Sequence, residues 1–314
     1  MATTTPGSAA TRELLTRPDR RRRAKDRVMQ GLVMLAFGVA LVPLVSLVWT
    51  VVANGVERLS PYFLVVSMRG VYGGLDAGGI YHAIVGTLEV TGLATLISVP
   101  VGLMTAVYLV EYGRGALARA VTFFVDVMTG IPSIVAGLFA YALFATLLGP
   151  GVRFGAVGAV ALSVLMIPVV VRTSEEMLRL VPNELREAAY ALGVPKWLTV
   201  VKVVLRTAVG GIVTGVMLAV ARVIGETAPL LITLGVIDSI NYDLFSGRMM
   251  TLPVYVFRQY SQGLVPCRPE QLDCVATVNL DRAWAAALVL IAIVLLLNLL
   301  ARLIARRFAP ARGH

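Results

Sequence analysis

Six long apolar runs dominate the chain and leave few folds open. They lie near 28–52, 81–110, 120–148, 154–171, 208–237 and 283–304. A helix needs roughly 20 apolar residues to cross the hydrocarbon of a bilayer, at about 1.5 Å per residue. Inside lipid, only helices and closed barrels satisfy their own backbone polar groups. The runs therefore predict an all-α, polytopic membrane bundle of six transmembrane helices. Hydrophobic residues make up 58% of the 314 and charged ones 15%, and the run pattern leaves no room for a second, soluble domain. Pro43, Pro100, Pro132, Pro168 and Pro229 sit in or beside the runs. Each removes a helical hydrogen bond, which is tolerated where neighbouring helices or a polar cavity satisfy the freed groups.

The chain divides accordingly into a basic tail (1–27), a first transmembrane helix with its outer loop (28–80), a helical core (81–308) and a short end (309–314). Two polar stretches interrupt the core, one at 174–206 and one at 238–282. The tail lacks apolar periodicity and is predicted to be disordered. A basic region before an apolar run also fits a secretory leader. This run is too long for one and no small-residue cleavage site follows, so it reads as the first span.

Membrane proteins gather Lys and Arg on the cytoplasmic side. With the N-terminus inside, 20 of the 28 fall in cytoplasmic segments, 7 in outer ones, and Arg222 lies within a span. Both termini are thus expected in the cytoplasm, and the net charge of +10 needs no nucleic-acid partner. Cys267 and Cys274 then share an outer loop, where oxidising surroundings permit a disulfide. Spacing does not fix Cβ geometry, so a bridge and two free thiols both stay open. No Cys/His cluster has metal-ligand spacing, and no catalytic constellation stands at membrane depth.

Charges inside the apolar runs are the residues that ask for a role. An Arg at the bilayer centre costs about 2.5–3.5 kcal/mol on insertion scales. Arg222 and Glu226 are four apart and are expected to share one face of the fifth helix. Two readings stay open on physics alone. The two residues pair with each other and hold helices together, or Arg222 faces a path and meets an anion. A guanidinium suits an oxyanion because its planar fork gives two parallel hydrogen bonds. Glu89 and Asp126 read as structural or interfacial, and Gly211 with Gly215 as a close-packing pair.

The stretch 183–197 breaks the apolar pattern with good helix formers. Asn183 is placed to cap a short helix, Gly193 to stop it, and Pro195 follows two residues on. Glu187-Ala188-Ala189 followed by Gly193 resembles the EAA loop of ABC-importer permeases, in which this loop is the coupling helix that docks on the ATPase. Val203 and Leu205 fit the continuation of that pattern, while Arg206 stands where the family usually has Pro. The run from Ala221 to Leu230, ARVIGETAPL, resembles the signature of the phosphate-specific ABC permeases of the PstA type. So does Gly130 to Phe139, GIPSIVAGLF, and so does Val110-Glu111-Tyr112 after the ISVPVG run at 97–102. Together these segments cover roughly residues 80–235.

The resemblance implies a type I ABC importer permease fold. It implies that Arg222, and more weakly Glu226, lie on the substrate path, and that Glu187, Ala188, Ala189 and Gly193 couple to the ATPase. It implies a homologous PstC-like permease, a PstB-like ATPase dimer and a PstS-like phosphate-binding protein outside the membrane. No Gly-x-x-x-x-Gly-Lys-Ser/Thr occurs, and Lys25, Lys196 and Lys202 close no such loop. The chain is therefore expected to be a permease and no enzyme, binding no cofactor itself, with ATP used by a partner. A sulfate or molybdate importer permease and a self-contained secondary anion transporter are the alternatives.

Overall fold

The computed structural model describes residues 20–268 and 273–308. Two compact units divide the chain, 1–53 and 54–314. The first consists, as far as it is described, of most of helix α1 (Arg20–Gly55). Apolar side chains such as Leu35, Val42 and Trp49 are exposed along its length, as suits a helix bathed in lipid. The basic run predicted to be disordered is helical from Arg20 onward. A helix already nucleated in the apolar stretch propagates through Arg, Ala and Lys at one hydrogen bond per residue. Residues 1–19 and 309–314 of the two expected terminal segments lie outside the described residues.

The second unit holds the remaining helices. They are α2 (Pro61–Val65), α3 (Tyr81–Val107), α4 (Gly115–Thr129), α5 (Ser133–Leu148), α6 (Gly155–Arg179), α7 (Asn183–Ala191), α8 (Lys196–Thr199), α9 (Leu205–Ile224), α10 (Ala228–Thr233), α11 (Leu252–Gln262) and α12 (Val278–Phe308). A π-helical turn at Tyr108–Tyr112 extends α3, and another at Val200–Val204 leads α8 into α9. Among the described residues, five helices are long and apolar enough to span a membrane, and a bent pair makes a sixth.

That bent pair divides the expected span at 120–148 at Pro132. α4 and α5 meet at 109°. Pro132 has no N–H to continue α4 and pushes Ile131 away from helical geometry, and at ψ 137° it opens α5 as its N-cap residue. The expected span at 208–237 is likewise interrupted, since α9 ends at Ile224 and α10 begins at Ala228. The span at 154–171 instead runs longer, to Arg179. Three of the charges in its added turns are matched. Arg172 pairs with Asp126 of α4 and, at 2.8 Å, with Glu175, which also accepts from Arg179 at 2.5 Å. Asp126 thus joins α4 to α6.

α6 is the axis of this unit and its most enclosed span. Val90 of α3, Leu162 and Met166 of α6, Ile224 of α9 and Tyr255 of α11 form one buried cluster with Ala285 and Ala286 of α12. Lipid tails are as apolar as these side chains, so close packing rather than exclusion of water drives such contacts. Gly211 and Gly215 show how close it is. A Cβ at Gly215 would meet Thr173 of α6 at 2.6 Å, and one at Gly211 would strike Met177 a turn further along.

Candidate functional site

The EAA segment lies where α6 has ended and α9 has not begun. α7 opens on Pro182, whose fixed φ suits a helix start, and no side chain caps it. Asn183 is therefore not the cap. It is the first helical residue, and its Oδ1 accepts from Arg186 at 3.3 Å. α7 ends on a Schellman motif. Gly193 takes φ +75°, its N–H donates to Tyr190 O at 2.9 Å, and the Val194 N–H donates to Ala189 O at 3.1 Å. Glu187, Ala188 and Gly193 face outward, while Ala189 is buried against the body. Leu192 is 84% exposed and Trp197 62%, an apolar surface beside the Glu-Ala-Ala turn.

One residue that the sequence did not single out holds this loop in place. Arg186 donates from Nε and Nη2 to Glu111 Oε1 at 3.0 and 2.8 Å. It also donates to the carbonyls of Val181 at 2.6 Å and Leu178 at 3.0 Å. Both side chains of the pair are nearly buried. Lys196, at the start of α8, donates to the Glu111 carbonyl at 2.5 Å and lies over the Tyr112 ring at 4.8 Å. The π turn at the end of α3 is thus clamped from both sides of the EAA helix. The only signal for this in the sequence was the Val110-Glu111-Tyr112 segment, which carried no partner with it.

The other two segments singled out in the sequence lie at the two helix breaks, and they touch. Gly137 of α5 packs on Pro229 of α10 so closely that a Cβ there would meet Pro229 Cα at 2.6 Å. Pro229 cannot donate to Gly225, so α9 cannot run through, and the chain restarts at Ala228. The break separates Arg222 from Glu226. Arg222 is exposed near the end of α9, whereas Glu226 is half-buried in the break itself. The two do not share a helical face as expected, and no nitrogen–oxygen contact within 4.0 Å joins them. Irregular backbone at membrane depth is stable where it is covered by protein or lines a cavity.

At the opposite end of α3, Cys267 and Cys274 are joined in a disulfide with Cα atoms 5.7 Å apart. Cys274 bridges Leu75, and the Val275 N–H donates to Gly74 O at 2.8 Å, so the staple fastens the loop before α12 to the loop before α3. Glu89 of α3 is half-buried and one of its oxygens has no partner. Among the described residues no group of three or more His, Cys, Asp or Glu is placed to hold a metal.

The comparisons agree with this architecture. The chain is 48% identical over 299 residues to "Phosphate transport system permease protein PstA 1" of Mycobacterium tuberculosis strain H37Rv, covering 93% of this chain and 90% of that one. It is 39% identical over 289 residues to "Phosphate transport system permease protein PstA" of Yersinia pestis, covering 90% of each. In fold it is similar to a chain of a bacterial alginate ABC transporter crystallised in complex with an alginate pentasaccharide-bound periplasmic protein, with a TM-score of 0.65, 14% identity, and coverage of 92% of this chain and 97% of that one. A chain of the inward-facing MetNI methionine ABC transporter matches with a TM-score of 0.55 at 19% identity, covering 80% of this chain and all of that one. The sequence model of the family described as binding-protein-dependent transport system inner membrane component matches residues 98–313. With six apolar helical segments, a clamped EAA loop and two helix breaks in contact, the chain belongs to the binding-protein-dependent transport system inner membrane components.

Proposed function

We propose that this chain is the membrane-spanning permease subunit of an ATP-driven importer of inorganic phosphate. The observation that carries the reading is the 48% identity, over nine tenths of the chain, to permeases named for phosphate transport. That shared name favours phosphate over sulfate or molybdate. A coupling loop clamped to the bundle also suits a subunit driven from outside better than a transporter acting alone.

In this reading the EAA end faces the cytoplasm and the disulfide end faces the oxidising exterior. Glu187, Ala188, Ala189 and Gly193, flanked by exposed Leu192 and Trp197, dock on an ATPase dimer that binds and hydrolyses ATP. A phosphate-binding protein delivers the ion at the other end, and a homologous permease completes the path. Closure of the ATPase dimer moves α7 and α8. The Glu111–Arg186 pair transmits that motion to α3, and the breaks at Gly130–Pro132 and Gly225–Thr227 let the half-helices tilt between outward and inward access. Arg222, exposed in this chain, lines the path against the partner permease and gives phosphate a transient counter-charge. Glu226 contributes selectivity, because an ionised carboxylate accepts a hydrogen bond from protonated phosphate and only repels sulfate.

The test is ATP-dependent uptake of labelled phosphate into vesicles that hold the permease pair, the ATPase and the binding protein. Arg222→Gln is expected to lower uptake at least about tenfold, the loss of one charge-assisted hydrogen bond. Full uptake by Arg222→Gln would remove the residue from the path, and equal uptake of sulfate by wild type would overturn the substrate. Glu226→Gln is expected to admit sulfate, and unchanged exclusion would end its selectivity role.

A further inference from the structure

At the end of the second unit opposite the EAA loop lies a cavity of about 450 Å³, walled by the 68–73 loop, α11 and the start of α12. Two of its wall residues are almost wholly enclosed, Arg282 at 2% and Gln259 at 3% exposure. Arg282 donates from Nη2 to the carbonyls of Leu75 at 2.6 Å and Ala77 at 2.8 Å, and from Nη1 to Asn279 Oδ1 at 3.3 Å. Its Nε–H has no partner, and neither has Gln259 Oε1. No carboxylate among the described residues lies within 4.0 Å of this guanidinium. Asp76 is engaged by Arg58 at 2.5 Å, and Asp281 accepts from Thr277 at 2.8 Å. The remaining charges in the wall cancel, since Arg258 pairs with Asp238 at 2.6 Å.

The cavity wall therefore carries one positive charge with no carboxylate in contact, one buried donor and one buried acceptor, the last two unmet. Buried polar atoms are normally hydrogen-bonded, and buried charges are normally paired. Water satisfies the two polar atoms and leaves the charge. An oxyanion that keeps a proton satisfies all three. Its oxygens accept from the Arg282 Nε–H, its hydroxyl donates to Gln259 Oε1, and its charge balances the guanidinium.

We propose that this cavity is an entrance site for monohydrogen or dihydrogen phosphate, distinct from Arg222 and Glu226 at the helix break. The proposal rests on the phosphate-importer reading and adds a second station to it. Sulfate, with no proton to donate at neutral pH, leaves Gln259 unmet and binds more weakly.

The experiment is equilibrium binding of labelled inorganic phosphate to the full chain in lipid nanodiscs, with sulfate as competitor. Wild type is expected to bind phosphate saturably at millimolar concentration or below, and sulfate to compete poorly. Gln259→Leu is expected to weaken binding about tenfold, the loss of one hydrogen bond. Arg282→Gln is expected to abolish it. Should Arg282→Gln fail to fold, Gln259→Leu carries the test, because it removes no bond that the fold uses. No saturable binding to wild type (a water-filled cavity only), equal binding of sulfate, or wild-type binding by folded Gln259→Leu would each overturn the site. The importer reading is separable. If Arg222→Gln stops uptake while Gln259→Leu binds and transports as wild type, the importer stands and the entrance site falls. If the complete transporter takes up no phosphate, the importer reading falls whatever the nanodiscs bind.

Discussion

Arg186 and Arg282 are both guanidiniums shut away at opposite ends of one bundle, yet they are solved differently. Arg186 meets a carboxylate, two carbonyls and an amide oxygen. Arg282 meets two carbonyls and an amide oxygen, with no carboxylate in contact and its Nε without a partner. The first site is electrically closed by the chain itself, so it behaves as a joint that fixes the EAA loop to α3. The second is left open by the chain, so it behaves as a receptor. Burial alone does not distinguish the two roles. The presence or absence of an internal counter-charge does.

The largest effect is expected at the joint. Glu111→Gln leaves Arg186 buried without its counter-ion and should cost about 3 kcal/mol, read as a lower unfolding midpoint of the purified chain. Replacing both partners, as Glu111→Leu with Arg186→Met, should recover most of that loss, since an apolar pair of similar volume is often neutral. Wild-type stability in Glu111→Gln would mean that backbone contacts, not the ion pair, hold the loop.

A smaller effect is expected at the receptor end from Cys274→Ser. Opening a cross-link seven residues long should cost about 2 kcal/mol by the chain-entropy estimate. Hydrogen exchange should rise in 72–78, which the staple fastens, and stay unchanged in 183–194. A rise in both segments would mean that the two ends are not independent.

The smallest effect concerns Tyr255, which lies edge-on to His82 at 5.6 Å between ring centres and whose hydroxyl is buried without a partner. Burial pushes its phenol above the ordinary value of 10.0. The folded state then holds the proton more tightly than the unfolded state. Its contribution is therefore fully present below pH 10 and is lost as pH rises beyond it. Tyr255→Phe should change stability by less than about 0.5 kcal/mol at neutral pH and should flatten the alkaline decline. An unchanged alkaline midpoint would remove the phenol from that decline.

The span count and the EAA helix were legible in the sequence because both are local. Apolar runs sum along the chain, and Gly193 with Pro195 marks a helix end whatever lies nearby. The breaks were not legible from hydropathy, which is blind to direction. The apolar run through Gly130–Pro132 reads as one helix until the 109° bend is seen. Arg222 and Glu226 were correctly found as charges in an apolar run, but their spacing was read as a shared face. Pro229, only three residues beyond Glu226, already argued that the helix could not continue. The Glu111–Arg186 pair was out of reach because its partners are 75 residues apart. Arg282 was hidden differently. It sat at a loop edge, where it counted only as one outer positive charge.

Along the path from α3 to α9, one π turn contains Glu111 of the Glu111–Arg186 clamp and the other follows α8. Each winds its backbone wider than an α turn and so carries a spare residue. Tightening one of them to α geometry shortens nothing in the hydrogen-bond ladder but advances the neighbouring segment by about 1.5 Å and about a quarter-turn. Slack between α3 and α9 is therefore geared in whole residues, like the teeth of a ratchet, rather than stretched like a spring.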